Sequence, residues 1–195
     1  MNGRVVRWWP FIGLPALVLL GLAVGTRSTR VDDWFIRTGA EHRGLHRLLI
    51  FTEPTLVVGL LLVAFAVALW RRRWRLAAAM VVTPAVALVA MRVLKRVFGR
   101  TKGEHPPSLA FPSGHVTMTV VVLAMAVLVL GARVWAMAAA AVLAVLAALG
   151  QAFTYHYFTD TVGALLLATS VVCLAVWAFG LDGCQPRCDL RHRSG

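Results

Sequence analysis

Apolar residues run almost unbroken through six stretches of the chain, at 8–24, 48–70, 76–93, 116–132, 134–153 and 161–181. Each holds 17 to 23 residues, close to the roughly 20 that a helix rising 1.5 Å per residue needs to cross the hydrocarbon. None alternates as a strand does, and such continuous runs of Ala, Leu and Val argue against a barrel. The pattern predicts an all-α polytopic membrane protein, a single domain over 1–195, with six transmembrane helices and a cytoplasmic tail at 182–195. Between the first and second spans, residues 26–47 set Val31, Trp34, Phe35 and Leu45 among charges. That spacing predicts an amphipathic helix lying on the membrane surface, with Trp34 at head-group depth. Pro84 is expected to kink the third span. The first run follows Arg4 and Arg7 and lacks a small-residue exit, so it is expected to stay as a helix rather than be removed.

Composition supports the bilayer. The chain is 59% hydrophobic and 14% charged, where a soluble domain is near half apolar and about a quarter charged. The net charge of +12 would suggest nucleic acid in a soluble protein. Here the basic residues lie between apolar runs, which points instead to anionic head groups and phosphorylated lipids. Six spans put both termini on one side. With the termini inside, ten Lys and Arg fall inside and ten outside. The inside set includes Arg71, Arg72, Arg73 and Arg75 in a minimal loop, where the positive-inside rule is most reliable. Five of the outside set, Arg92 through Lys102, belong to a stretch with chemistry of its own. Termini in the cytoplasm follow, with 26–47, 95–112 and 154–160 outside.

That stretch is "LKRVFGRTKGEHPPSLAFPSGH", residues 94–115, which holds both lysines of the chain, Lys95 and Lys102. With "YHYFTD" at 155–160 it gathers the polar chemistry on one predicted face. Lys and Arg supply charge-assisted donors to phosphate oxygens. Ser113 and Gly114 open the fourth span, where free backbone N–H groups favour an anion. His156 and Asp160 stand one helical turn apart, so the carboxylate can fix the tautomer of a nucleophilic histidine while His115 serves as general acid. A zinc site from His115, His156 and Asp160 is a further option. His42 and His46 are spaced four apart but lack a third ligand. Cys184 and Cys188 are expected to be free thiols, and no disulfide framework is expected.

Taken in order, these motifs resemble the type 2 phosphatidic acid phosphatase family, relatives of the vanadium haloperoxidases. Lys95 fits the lysine of its first motif, Pro112-Ser113-Gly114-His115 all of the second, and His156 with Asp160 the end of the third. The resemblance implies a membrane phosphatase acting on a lipid phosphate or pyrophosphate, isoprenoid or glycerolipid, through a phosphohistidine. His156 would be the nucleophile, Asp160 its orienter and His115 the acid. Lys95, Ser113 and Gly114 would hold phosphoryl oxygens, and neither metal nor cofactor is implied. Two departures stand out. Lys102-Gly103 replaces Arg-Pro, and Leu149-Gly150 replaces Ser-Arg, so a phosphate-binding arginine is missing. Arg100, Lys102 or Gln151 are the candidates to compensate. The same triad would also serve a phosphotransferase, and the missing arginine a lipid-phosphate carrier without turnover.

Overall fold

The computed structural model describes residues 3–102 and 108–181. Its helices are α1 (Gly3–Val24), α2 (Arg30–Glu41), α3 (Pro54–Trp70), α4 (Trp74–Phe98), α5 (Gly114–Val129), α6 (Val134–Thr154) and α7 (Phe158–Ala178). A 3-10 helix, Arg43–Thr52, joins α2 to α3. Between α4 and α5 a minimal antiparallel hairpin pairs β1 (Thr101–Lys102) with β2 (Ser108–Leu109). His105, Gly103, Cys184, Cys188 and the tail 182–195 lie outside the described residues.

Five segments are long and apolar enough to cross a membrane, with Arg43–Thr52 and α3 counting as one of them. The expected sixth, α5, has 16 residues, about 24 Å at 1.5 Å per residue against about 30 Å of hydrocarbon. Five spans are therefore shown by length, and the expected six are not confirmed. α5 packs against α3, α4, α6 and α7, so its apolar faces are covered largely by protein. α4 runs as one helix across Pro84 and ends at Gly99, whose φ of 60° is the left-handed cap expected of a C-terminal glycine.

The surface segment is also cut differently from expectation. α2 covers only Arg30–Glu41, opened by a reciprocal capping box between Thr29 and Asp32. Within the second span the α-helix starts at Pro54, after the 3-10 turns, because a residue before proline is driven out of the helical region. Glu53 accordingly has φ −60° and ψ 121°. His42 ends α2 and His46 falls in the 3-10 helix, so their spacing of four is not one helical face. Among the described residues no group of His, Cys, Asp or Glu could hold a metal ion.

Docking of α2 is tight. Phe35 stacks on Phe158 at 4.4 Å and touches Phe153 at 4.8 Å. A methyl at Gly39 would stand 1.8 Å from the carbonyl oxygen of Phe153, so only glycine lets the two backbones approach this closely. Trp34 remains half exposed, at 52%.

Candidate active site

Three segments converge. α4 carries Lys95 in its last turn and leads through Gly99 to Arg100 and β1. The Phe111–Ser113 turn, which holds a cis peptide before Pro112, feeds α5. The α6–α7 corner carries Tyr155, His156 and Tyr157. The second and third segments are tied directly, since the Ser113 N–H donates to the Asp160 carbonyl at 3.1 Å. The His156 N–H donates to the Gln151 carbonyl at 2.8 Å, which sets the corner.

His156 is buried, and its Nδ1 faces Asp160 Oδ2 at 3.5 Å, within electrostatic reach but long for a hydrogen bond. A carboxylate can only accept, so the nitrogen facing it carries the hydrogen and Nε2 keeps its lone pair. Burial depresses the imidazole to a pKa of about 4. The Asp160 carboxylate opposes this, and the charges of Lys102 and Lys95 add to it. At neutral pH the ring is uncharged, as a nucleophile must be. His115, second residue of α5, is exposed.

The two lysines stand near this ring and act on it electrostatically. Lys95 Nζ donates to the Leu109 carbonyl at 2.6 Å, and Lys102 Nζ to the Tyr155 carbonyl. Burial lowers the Lys102 pKa, the neighbouring Lys95 charge lowers it further, and Asp160 resists. Ser113 caps α5 by position but not by side chain. Its hydroxyl is buried and without a partner. The first N–H groups of any helix lack intrahelical acceptors, so Gly114 and its neighbours present an anion-favouring end beside that spare hydroxyl.

Two of the three candidates to compensate for the missing arginine, Arg100 and Gln151, meet a different geometry. Arg100 is fully buried, and its guanidinium is engaged elsewhere. Nη1 donates to Thr159 Oγ1 at 2.6 Å and Asp160 Oδ1 at 2.7 Å. Nη2 donates to the Arg27 carbonyl and to Asp32 Oδ2, both at 2.8 Å. Gln151 turns its amide to Thr52 Oγ1 at 2.7 Å, on the 3-10 helix. At Gly150, the place of the missing arginine, a Cβ would stand 2.7 Å from the carbonyl oxygen of Leu48. The 3-10 helix occupies that space. Of the expected cations, Arg100 has both Nη groups engaged and only a buried Nε without a partner, whereas each lysine gives one donor to a backbone carbonyl and keeps the others.

Sequence reasoning did not single out Asp32, Thr159 or Tyr157. Asp32 is buried on α2, and its Oδ1 accepts from the Thr159 N–H at 2.9 Å. Burial pushes its pKa up, but the Thr159 and Thr29 backbone N–H groups, with Arg100 and the Thr29 hydroxyl, bring it below the usual value. Tyr157 covers the Arg100 guanidinium, 4.3 Å from ring centre to Cζ. The Thr29-x-x-Asp32 spacing was a legible capping signal, but it gave no hint that the carboxylate also reaches α7.

No family model matches the chain, and no curated protein matches it in sequence. A solved structure does: the first transmembrane PAP2 type phosphatidylglycerolphosphate phosphatase from Bacillus subtilis superposes with a TM-score of 0.73. The identity is 17%, over 88% of this chain and 96% of that one. The chain therefore has the fold of a membrane PAP2-type phosphatase.

Proposed function

We propose that this protein belongs to the PAP2-type phosphatases and hydrolyses a lipid phosphate or pyrophosphate through a phosphohistidine. The observation that carries the reading is a buried, neutral His156 with its Nδ1 toward Asp160, set beside two lysines and the unpartnered Ser113 hydroxyl. The shared fold supports it. In this reading Lys95, Lys102, Ser113 and the N–H groups from Gly114 onward receive the phosphoryl oxygens. Nε2 of His156 attacks phosphorus, the bond from phosphorus to the lipid oxygen breaks, and His115 gives that oxygen a proton. Water then attacks the phosphohistidine with its proton passing to His115, the P–N bond breaks and phosphate leaves. Asp160 stabilises the positive charge that grows on the imidazole.

In the same reading the site faces outward from the cytoplasmic membrane, with the termini inside. Arg71, Arg72, Arg73 and Arg75 lie in the α3–α4 turn, at the opposite end of α4 from Lys95, and the positive-inside bias supports that turn as the cytoplasmic side.

The test is a panel of lipid phosphates, glycerolipid and isoprenoid, mono- and diphosphate, given to the purified full chain. Phosphate release that disappears in His156→Ala, with a phosphorylated His156 peptide trapped in the wild type, is the expected result. Release that survives His156→Ala overturns the reading. Phosphorylated acceptor in place of free phosphate would identify a phosphotransferase, and binding without turnover a carrier.

A further inference from the structure

We propose that Arg100 and Asp32 form a positioning brace for the site, holding the Asp160 carboxylate so that one oxygen is anchored and the other is presented to His156. The proposal rests on the functional reading above and names residues that the family motifs do not include.

The geometry starts at Asp160. Its Oδ1 takes the Arg100 Nη1 at 2.7 Å. Its Oδ2 takes the Tyr157 N–H at 3.3 Å and faces His156 Nδ1 at 3.5 Å. A carboxylate gripped at one oxygen by a charged donor cannot rotate, so the second oxygen keeps its aim at the ring. The planar guanidinium suits this work because its donors diverge in a fixed fork. One arm goes to Asp160 and Thr159, the other to Asp32 and the Arg27 carbonyl. Tyr157 closes the face of the fork.

Asp32 keeps Arg100 in place. Both of its oxygens are spoken for. Oδ1 accepts from the Thr159 N–H at 2.9 Å, and Oδ2 accepts from Arg100 and from the Thr29 N–H at 2.9 Å. It thereby caps α2, caps the first turn of α7 and neutralises Arg100 with one carboxylate. All three charged groups have side chains with 0% exposure. Buried ion groups of this kind are seldom a net gain in stability over apolar packing. Their retention is explained by the aim they give to Asp160.

A contribution of this type is visible in turnover and not in binding. Both Nη groups of Arg100 and both oxygens of Asp32 are engaged within the brace, and the Arg100 Nε is buried without a partner, so loss of the brace should lower kcat and spare KM. The groups that face His156 are Asp160 from α7, Lys102 from β1 and Lys95 from α4, with the Gln151 carbonyl of α6 behind it. Of these, Asp160 is the one Arg100 partly neutralises. Removing Arg100 should let the carboxylate hold a proton on the ring more strongly, and the protonation midpoint of His156 should rise from about 4 toward the ordinary histidine value.

The experiment uses the full chain in detergent, with dioleoyl phosphatidic acid in mixed micelles as probe. Alongside turnover, acylation of His156 by diethyl pyrocarbonate is read by peptide mass spectrometry across pH, since only the neutral ring reacts. In Arg100→Gln, kcat is expected to fall about 10- to 100-fold, the worth of one charged hydrogen bond. KM should stay within about threefold and the acylation midpoint should move up, while Arg100→Lys recovers part of kcat. A loss carried by KM would mean that Arg100 meets the phosphate itself, and an unmoved midpoint with intact kcat would mean no brace. Either result overturns the proposal. If Arg100→Gln does not fold, the isosteric Asp32→Asn decides: about a tenfold loss of kcat at constant KM supports the brace, and unchanged kcat removes it. His156→Ala separates the two claims. Turnover persisting there overturns the functional reading, whereas turnover lost there but intact in the Arg100 and Asp32 variants overturns the brace alone. Should the wild type release no phosphate, the acylation midpoint still reads the brace.

Discussion

Gly150 is where a relative's clamp arginine would sit, and restoring an arginine there is the obvious attempt to strengthen the site. The packing predicts that it fails, beginning with the smallest step. In Gly150→Ala the new methyl would meet the Leu48 carbonyl oxygen at 2.7 Å and the Leu48 carbonyl carbon and Cβ at 2.8 Å, where ordinary contact begins at 3.4 Å. Two of these are backbone atoms, so the 3-10 helix has to move as a unit. Overpacking of this kind costs about 1–3 kcal/mol. Better helix propensity returns about 1 kcal/mol, which leaves a net loss of about 1 kcal/mol. For a chain of this size that is about 2–4 °C in melting temperature. Moving the 3-10 helix also pulls Thr52 from the Gln151 amide, a 2.7 Å bond whose loss leaves a buried donor unpaired. Gly150→Arg adds a charged side chain to the same obstruction and should lose more stability, with lower turnover. Thermal unfolding in detergent, followed by tryptophan fluorescence, gives the comparison. Gly59→Ala, where the methyl meets nothing within 4 Å, is the control and should be neutral or stabilising. If Gly150→Ala behaves like Gly59→Ala, or Gly150→Arg raises turnover, the steric account is wrong.

His115→Ala should slow release from phosphatidic acid far more than from nitrophenyl phosphate, because a good leaving group needs little protonation; equal losses would remove the general-acid role. A cysteine replacing Ser28, in the turn before α2, should react with an impermeant thiol reagent added to intact cells. Protection there, with labelling only after permeabilisation, would invert the orientation.

What could be read in advance divides by sequence distance. The apolar runs, the α5 entry at Ser113 and Gly114 and the four-residue step from His156 to Asp160 are local patterns, and helical geometry converts them directly into faces and ends. The break at Glu53 and Pro54 is equally local, but the apolar run continues across it and masks the change from 3-10 to α-helix. What covers α5 depends on its neighbours, and an apolar stretch does not reveal whether that is lipid or protein. Arg100 shows the limit most clearly. Its pairing with Asp32 spans 68 residues and with Asp160 spans 60. From composition alone, an arginine in a basic loop cannot be told from one buried between two carboxylates. The empty arginine position has the same character, since a glycine records that something comes close without recording that it is Leu48.

These long-range contacts change the chemistry assigned to each cation. An arginine fork is at its best between partners that stay put, and here its partners are Asp32 and Asp160. A lysine ammonium is a compact charge on a flexible stem with three rotatable donors. Lys95 and Lys102 each give one donor to a backbone carbonyl, and in the proposed reaction the others would follow phosphoryl oxygens whose positions change as the phosphorus passes from lipid oxygen to imidazole and then to water. Five charged groups, three cations and two carboxylates, leave one net positive charge around a neutral His156, enough to favour an anion without locking it in. In this reading the rigid, doubly anchored side of the site aims the nucleophile and the adaptable lysine side follows the phosphate. That division fits the departure at Gly150: the 3-10 helix fills the place of the third-motif arginine, and the one buried arginine nearby serves the carboxylate rather than the substrate.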